Sequence, residues 1–156
     1  MNEIERVREF IKETKLPLNI IELDADTSTA YLAAKALGTE VGQIAKSILF
    51  KASNNQFFMI VAAGDIKIDN KAVKKLVGSR ARMANSEEVL EITGFNIGGV
   101  CPFALKHHIP IYLDDSLQCY DIVYTAAGTS NTVLPITYQQ LRQITKGTPC
   151  NVSQAG

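Results

Sequence analysis

Two stretches of this chain concentrate residues that could do chemistry. In Lys46-Ser47-Ile48-Leu49-Phe50 the lysine shares strand parity with Ile48 and Phe50, so it should face the same side of a sheet as they do. An ammonium on an apolar face either reaches water along its own stem or has a partner inside. Two readings follow: a lysine at a strand end, or a lysine at a pocket floor facing an anionic or carbonyl-bearing ligand. The second stretch is Phe95-Asn96-Ile97-Gly98-Gly99-Val100-Cys101-Pro102-Phe103. Paired glycines let a ligand approach the backbone closely, and Pro102 stiffens the far side. Backbone N–H groups held in that way can receive a developing oxyanion; the plain alternative is a tight turn before a strand. The loop is not GxGxxG and does not lead from a strand into a helix, which argues against a dinucleotide site.

Other reactive side chains form weaker sets. Cys101 followed by His107 and His108 suggests a thiol nucleophile with an imidazole base, without any family-type context for one. The adjacent histidines diverge, so no metal site is expected. Asp114-Asp115 reads as a strand end with a cap, or as paired carboxylates in a cleft. Between 67 and 82 stand Lys67, Lys71, Lys74, Lys75, Arg80 and Arg82 against Asp69 alone. Lys71, Lys74 and Lys75 share a helical face by i, i+3, i+4 spacing. That face is either simply solvated or a guide for a phosphate backbone.

Composition bounds these options. The 156 residues suit one domain, with 46% hydrophobic and 21% charged residues as in ordinary globular proteins. Lys and Arg number 16 and Asp and Glu 16, so nucleic-acid contact must come from a local patch. Three widely spaced cysteines argue against a disulfide framework and a zinc knuckle. The N-terminal stretch carries charges of both signs where a signal peptide would be apolar, and no run approaches a membrane span. A cytoplasmic location is expected.

The elements that must position these residues alternate along the chain. Apolar spacing predicts helices over 2–14, 28–37, 69–77, 86–93 and 138–146, with Thr137 and Gln140 as a capping box for the last. Strands are predicted over 16–23, 45–52, 56–63, 79–84, 110–115, 120–127 and 131–136. The second and third flank Ser53-Asn54-Asn55 and read as a hairpin. This points to a single α+β domain over 1–150, with a mixed, largely antiparallel curved sheet flanked by helices. Residues 151–156 read as a loose C-terminal tail.

Taken together, Gly-Gln-Ile-Ala-Lys-Ser-Ile-Leu-Phe (42–50), the Gly-Gly-Xaa-Xaa-Pro loop and a strand ending in Ala126-Ala127-Gly128 resemble the YbaK-type aminoacyl-tRNA deacylases. These are relatives of the editing domain of bacterial prolyl-tRNA synthetases. The resemblance spans about residues 5–150. It implies hydrolysis of the ester that joins a wrong amino acid to the 3′ end of a tRNA, most of all tRNA(Pro). Lys46 would position the terminal nucleotide, and the backbone around Gly99 and Val100 would hold the aminoacyl carbonyl. Thr29, Ser47, Gly98, Cys101, Pro102, Ala127 and Gly128 would complete the substrate site; the charge reading above would put Lys71, Lys74 and Lys75 on the tRNA body. A free hydroxyl of the terminal ribose would help activate the water, so no cofactor, metal or protein base is implied. The acceptor end of tRNA, and prolyl-tRNA synthetase, are the partners implied.

The chain departs from its relatives at several positions. Cys101 stands where many have serine or threonine, and Thr29 where the cysteinyl-tRNA(Pro) deacylases carry an aromatic. Tyr124-Thr125-Ala126-Ala127-Gly128 lacks the serine of that subgroup, Val133 replaces its aspartate, and the histidine of alanine-specific members is missing. These changes leave open which amino acid is removed. Two other readings stand beside the deacylase: a non-catalytic module binding an aminoacyl end or nucleotide, and a Cys101 thiol esterase.

Overall fold

The computed structural model describes residues 2–154. Helix α1, Glu3–Thr14, begins at a capping box in which the Asn2 side chain accepts the Glu5 N–H at 2.9 Å, and it buries Val7 and Ile11. After it, strand pairing is confined to β1, Ile21–Glu22, rather than all of 16–23. Pro17 has no N–H to donate, and strand β7 (Thr132–Ile136) lies alongside only at Ile21 and Glu22. Helix α2, Ala30–Leu37, ends at Gly38, whose positive φ of 70° closes the last turn.

The hairpin forms as the sequence predicts. Strands β2, Ala45–Ala52, and β3, Phe57–Ala63, are joined through Asn55 at φ 67°. Helix α3, Asn70–Val77, strand β4, Ala81–Met83, and helix α4, Ser86–Thr93, follow. Strand β5 is Ile111–Asp114 and β6 is Val123–Ala126, with a 3₁₀ turn over Asp115–Cys119 between them. Helix α5, Tyr138–Thr145, and strand β8, Thr148–Cys150, complete the chain.

The strands form a five-stranded mixed sheet, β4-β2-β3-β5-β8, and a three-stranded antiparallel sheet, β1-β7-β6. A parallel bridge between Ile44 and Tyr124 links the two into one curved surface. The parallel pairs β3/β5 and β5/β8 need long crossovers, which the intervening helices supply. Strand parity sorts the core. Ala45, Leu49, Met59 and Val61 join Val7, Ile11 and Leu134 on one face, while Phe50, Phe58, Ile60 and Ala62 meet Val73 of α3 on the other.

Residues 151–154 are not a loose tail. Val152 is buried; its N–H donates to Asp114 Oδ1 at 2.7 Å, and its carbonyl accepts the Asp69 N–H at 2.7 Å. Gln154 N–H donates to the Lys67 carbonyl at 2.8 Å. The backbone at Lys67 and Asp69, the Asp114 carboxylate and an apolar slot for Val152 hold this segment down, which its polar composition does not reveal. Asp114 is thereby a structural acceptor, also capping Ser116 at 3.0 Å, and not half of a carboxylate pair in a cleft. The last two residues of the expected tail lie outside the described ones.

Candidate functional site

Hydrogen-bond alternation along β2 creates the site. Even-numbered residues turn their backbone groups to β3: Ile44 carbonyl accepts the Gly64 N–H, and Ala52 N–H donates to Gln56. Odd-numbered residues face the opposite edge, where the Leu49 carbonyl accepts the Ala84 N–H at 2.9 Å. Yet β4 pairs only with Phe50–Ala52, and the bridge to β6 sits back at Ile44. The edge at Ser47 is left open between them. A cavity of about 250 Å³ fills this gap.

Lys46, Ser47, Thr29, Gly98 and Val100 all line that cavity, so five residues expected in the site from sequence do meet there. Lys46 is half-buried, and its Nζ donates to the Ile66 carbonyl at 2.6 Å. Burial pushes its pKa down, while the Asp65 carboxylate pulls it back up. An ammonium has three donors, so two remain for a ligand. Thr29 caps α2, its hydroxyl accepting the Leu32 N–H at 3.1 Å, and directs the positive end of that helix at the cavity. Lys46 is the one charged side chain among the described lining residues.

The glycine loop enters from the other side. Gly98 has φ 98°, and a Cβ there would lie 2.9 Å from the Cβ of Ser28. Gly99 does not line the cavity. Its N–H donates to the Asn96 carbonyl at 3.0 Å and its carbonyl accepts the Gly128 N–H at 3.0 Å, so its backbone is fully committed. Among the described residues, the N–H groups of Gly98 and Val100 donate to no protein acceptor. These, with the unpaired edge at Ser47, are backbone donors around the cavity without a protein acceptor.

Gly128, Ala127, Cys101 and Pro102 are buried behind the cavity wall. The Cys101 thiol is fully buried, 3.5 Å from the Phe103 carbonyl, and burial pushes its pKa up to about 12. His107 and His108 are exposed. The thiol-esterase reading therefore fails: a nucleophilic cysteine must be ionisable and reachable. Lys71, Lys74 and Lys75 are exposed on α3, which packs on the sheet face toward which Lys46 points; none lines the cavity.

Several residues of the site escape sequence reasoning. Thr125 of β6 is buried and lines the cavity, and neither its hydroxyl nor that of Ser47 has a partner. Met83 and Ile97 stand 64% and 63% exposed at the rim, an apolar border that is costly unless something covers it. Arg6 of α1 supports the glycine loop from behind. It donates to the carbonyls of Ala104 at 3.0 Å and Thr93 at 3.1 Å, with its guanidinium 4.4 Å from the Phe95 ring centroid. An arginine in a surface-facing helix gives no sequence signal of that role.

The family model of the aminoacyl-tRNA editing domain matches residues 24–144, a span that contains every cavity-lining residue. The chain belongs to the aminoacyl-tRNA editing domain family. It is 39% identical over 140 residues to the uncharacterized protein YwhH of Bacillus subtilis (strain 168), covering 90% of this chain and 89% of that one. A proline–tRNA ligase of Bacillus licheniformis is 30% identical over 127 residues, 74% of this chain but 22% of the ligase. A crystal structure described as a candidate trans-editing enzyme for prolyl tRNA synthetase superposes with a TM-score of 0.91 at 34% identity, covering 99% of both chains. The editing-domain fold thus extends over the whole described chain. As in the relatives just named, it occurs both as most of a protein and as a fraction of a synthetase. Among the described residues no helix is long and apolar enough to cross a membrane.

Proposed function

We propose that this protein is a trans-editing hydrolase that removes a wrong small amino acid from mischarged tRNA, with tRNA(Pro) as its substrate. The observation that carries the reading is the donor set of the cavity. Lys46, the N-terminus of α2, and Gly98 and Val100, whose N–H groups have no protein acceptor, all line a space that no carboxylate lines among the described residues. Such a space favours an oxygen that is negative or becoming so. Its volume of about 250 Å³ lies below the range of sites for whole cofactors or drug-sized ligands, and matches an aminoacyl group. The terminal nucleotide would then lie over the apolar rim of Met83 and Ile97, with Lys46 near its phosphate or the acyl carbonyl.

In this reading water attacks the ester carbonyl carbon, and the Val100 N–H receives the oxygen as it becomes negative. The bond to the ribose oxygen then breaks, and that oxygen takes a proton. Gly99 acts by holding the loop, not by touching the substrate. Activation of the water is assigned to the neighbouring ribose hydroxyl. The three exposed lysines of α3 are assigned to the tRNA body, and a synthetase partner would supply further grip.

The test is deacylation of tRNA(Pro) charged with Ala, Cys, Ser or Thr. Lys46→Ala should lower kcat/KM roughly 10- to 150-fold, the equivalent of a charge-assisted hydrogen bond worth about 1.5–3 kcal/mol. A well-folded Lys46→Ala protein with normal turnover would refute the assignment. Binding of aminoacyl-tRNA without any turnover by the wild type would favour a non-catalytic sensor instead.

A further inference from the structure

The deacylase reading leaves the amino acid open, and the buried polar atoms of the cavity bear on it. Thr125, on β6 opposite Leu134 of β7, is buried and is one of the residues around the cavity, and its hydroxyl has no partner. Ser47, on the unpaired edge of β2, is another residue of the cavity wall and has a buried Oγ in the same condition. Most of the surrounding wall is small or apolar: Ala30, Ala33, Ala84, Val89, Ala126 and Val133. A buried hydroxyl without a partner is costly, and valine would fill the place of Thr125 without that cost.

We propose that Ser47 and Thr125 form a specificity pair that hydrogen-bonds the side-chain hydroxyl of the bound amino acid, so that the enzyme clears seryl and threonyl esters in preference to alanyl ones. This inference rests on the deacylase reading. A ligand hydroxyl both donates and accepts, as do the two protein hydroxyls, so each can be satisfied at once. An alanyl methyl would leave both unpaired in a closed wall. A site built to bond a substrate hydroxyl rejects the analogue lacking it far more strongly than an apolar pocket rejects one methyl. The substrate ammonium is a poorer match for the pair. It has no acceptor capacity, and no carboxylate lines the cavity among the described residues to balance its charge.

The experiment compares tRNA(Pro) carrying Ser, Thr or Ala as substrates of the full-length wild type, Thr125→Val, Thr125→Ser and Ser47→Ala. Wild type should show at least a tenfold preference in kcat/KM for Ser over Ala, with Thr on the side of Ser. Thr125→Val should lower the Ser/Ala ratio at least tenfold, Ser47→Ala should lower it in the same direction, and Thr125→Ser should restore most of it. A purely structural role would lower rates for both esters together and leave the ratio alone, which overturns the proposal. Preference for Ala in the wild type also overturns it, while leaving the deacylase reading standing. Failure to cleave any of the three esters, or any other aminoacyl-tRNA(Pro), removes both.

Discussion

Gly99→Ala tests how the glycine loop is held. A Cβ at Gly99 would lie 2.7 Å from both the carbonyl carbon and oxygen of Gly128 and 2.8 Å from the Thr129 nitrogen. All three are backbone atoms, which cannot rotate away as a side-chain tip would. Ordinary contact begins near 3.4 Å, so the two loops must separate by about 0.7 Å. That separation stretches the Gly128 N–H to Gly99 carbonyl bond, now 3.0 Å. Overpacking of this kind costs about 1–3 kcal/mol, and a weakened hydrogen bond adds about 1 kcal/mol. A total loss of roughly 2–4 kcal/mol should appear as a lower urea midpoint at unchanged m-value. Because Val100 follows directly, its N–H moves with the loop, and a shift approaching 1 Å can cost about 100-fold in rate. The assay pairs urea unfolding with kcat on a mischarged tRNA(Pro). If Gly99→Ala kept both the wild-type midpoint and wild-type kcat, the stitched-loop account would be refuted.

Three further outcomes are expected. Iodoacetamide should modify exposed Cys119 in the native protein while sparing Cys101, and activity should survive, since Cys101 is fully buried and held protonated; activity lost in step with Cys101 labelling would revive a thiol mechanism. Neutralising Lys71, Lys74 and Lys75 should raise KM for tRNA, leave kcat near normal and reduce the salt slope by roughly 2–3; an unchanged KM at low salt would place the tRNA body elsewhere. Glu88 accepts two bonds from Arg82, at 2.9 and 3.0 Å, and with the Asn85 N–H and Lys51 this holds its pKa down from 4.5 to about 2. A depressed folded pKa adds stability above the unfolded value that disappears as pH falls through the folded one. Glu88→Gln should therefore lower Tm at pH 7, with the gap closing between about pH 4.5 and 2; a gap that is constant with pH would exclude the ion-pair explanation.

Much of the fold was legible because local rules agreed with the tertiary outcome. The caps at Asn85 and Thr137, the glycine stops at Gly38 and Gly94, and Asn55 in the hairpin all form as their chemistry dictates. Short strands were overdrawn, since 16–23 and 120–127 pair only where a neighbour is present. The C-terminal strand β8 was missed because its pairing with β5 joins residues far apart in sequence. Lys46 was conspicuous through parity alone, and the Gly-Gly-Xaa-Xaa-Pro loop through its composition.

The sequence by itself determined the element types and the editing-domain family, and it singled out Lys46, Ser47, Gly98 and Val100, which line one cavity. Those follow from periodicity, turn chemistry and motif, all of which are written within short windows of chain. Only the tertiary structure decided how each neighbourhood is held. It tied the Gly99 backbone to Asn96 and Gly128, buried the Cys101 thiol, left the edge of β2 unpaired at Ser47 and buried the Thr125 hydroxyl without a partner. The reason is physical: burial, an unpaired strand edge and an unmet hydroxyl are relations between segments that meet only when the chain has folded.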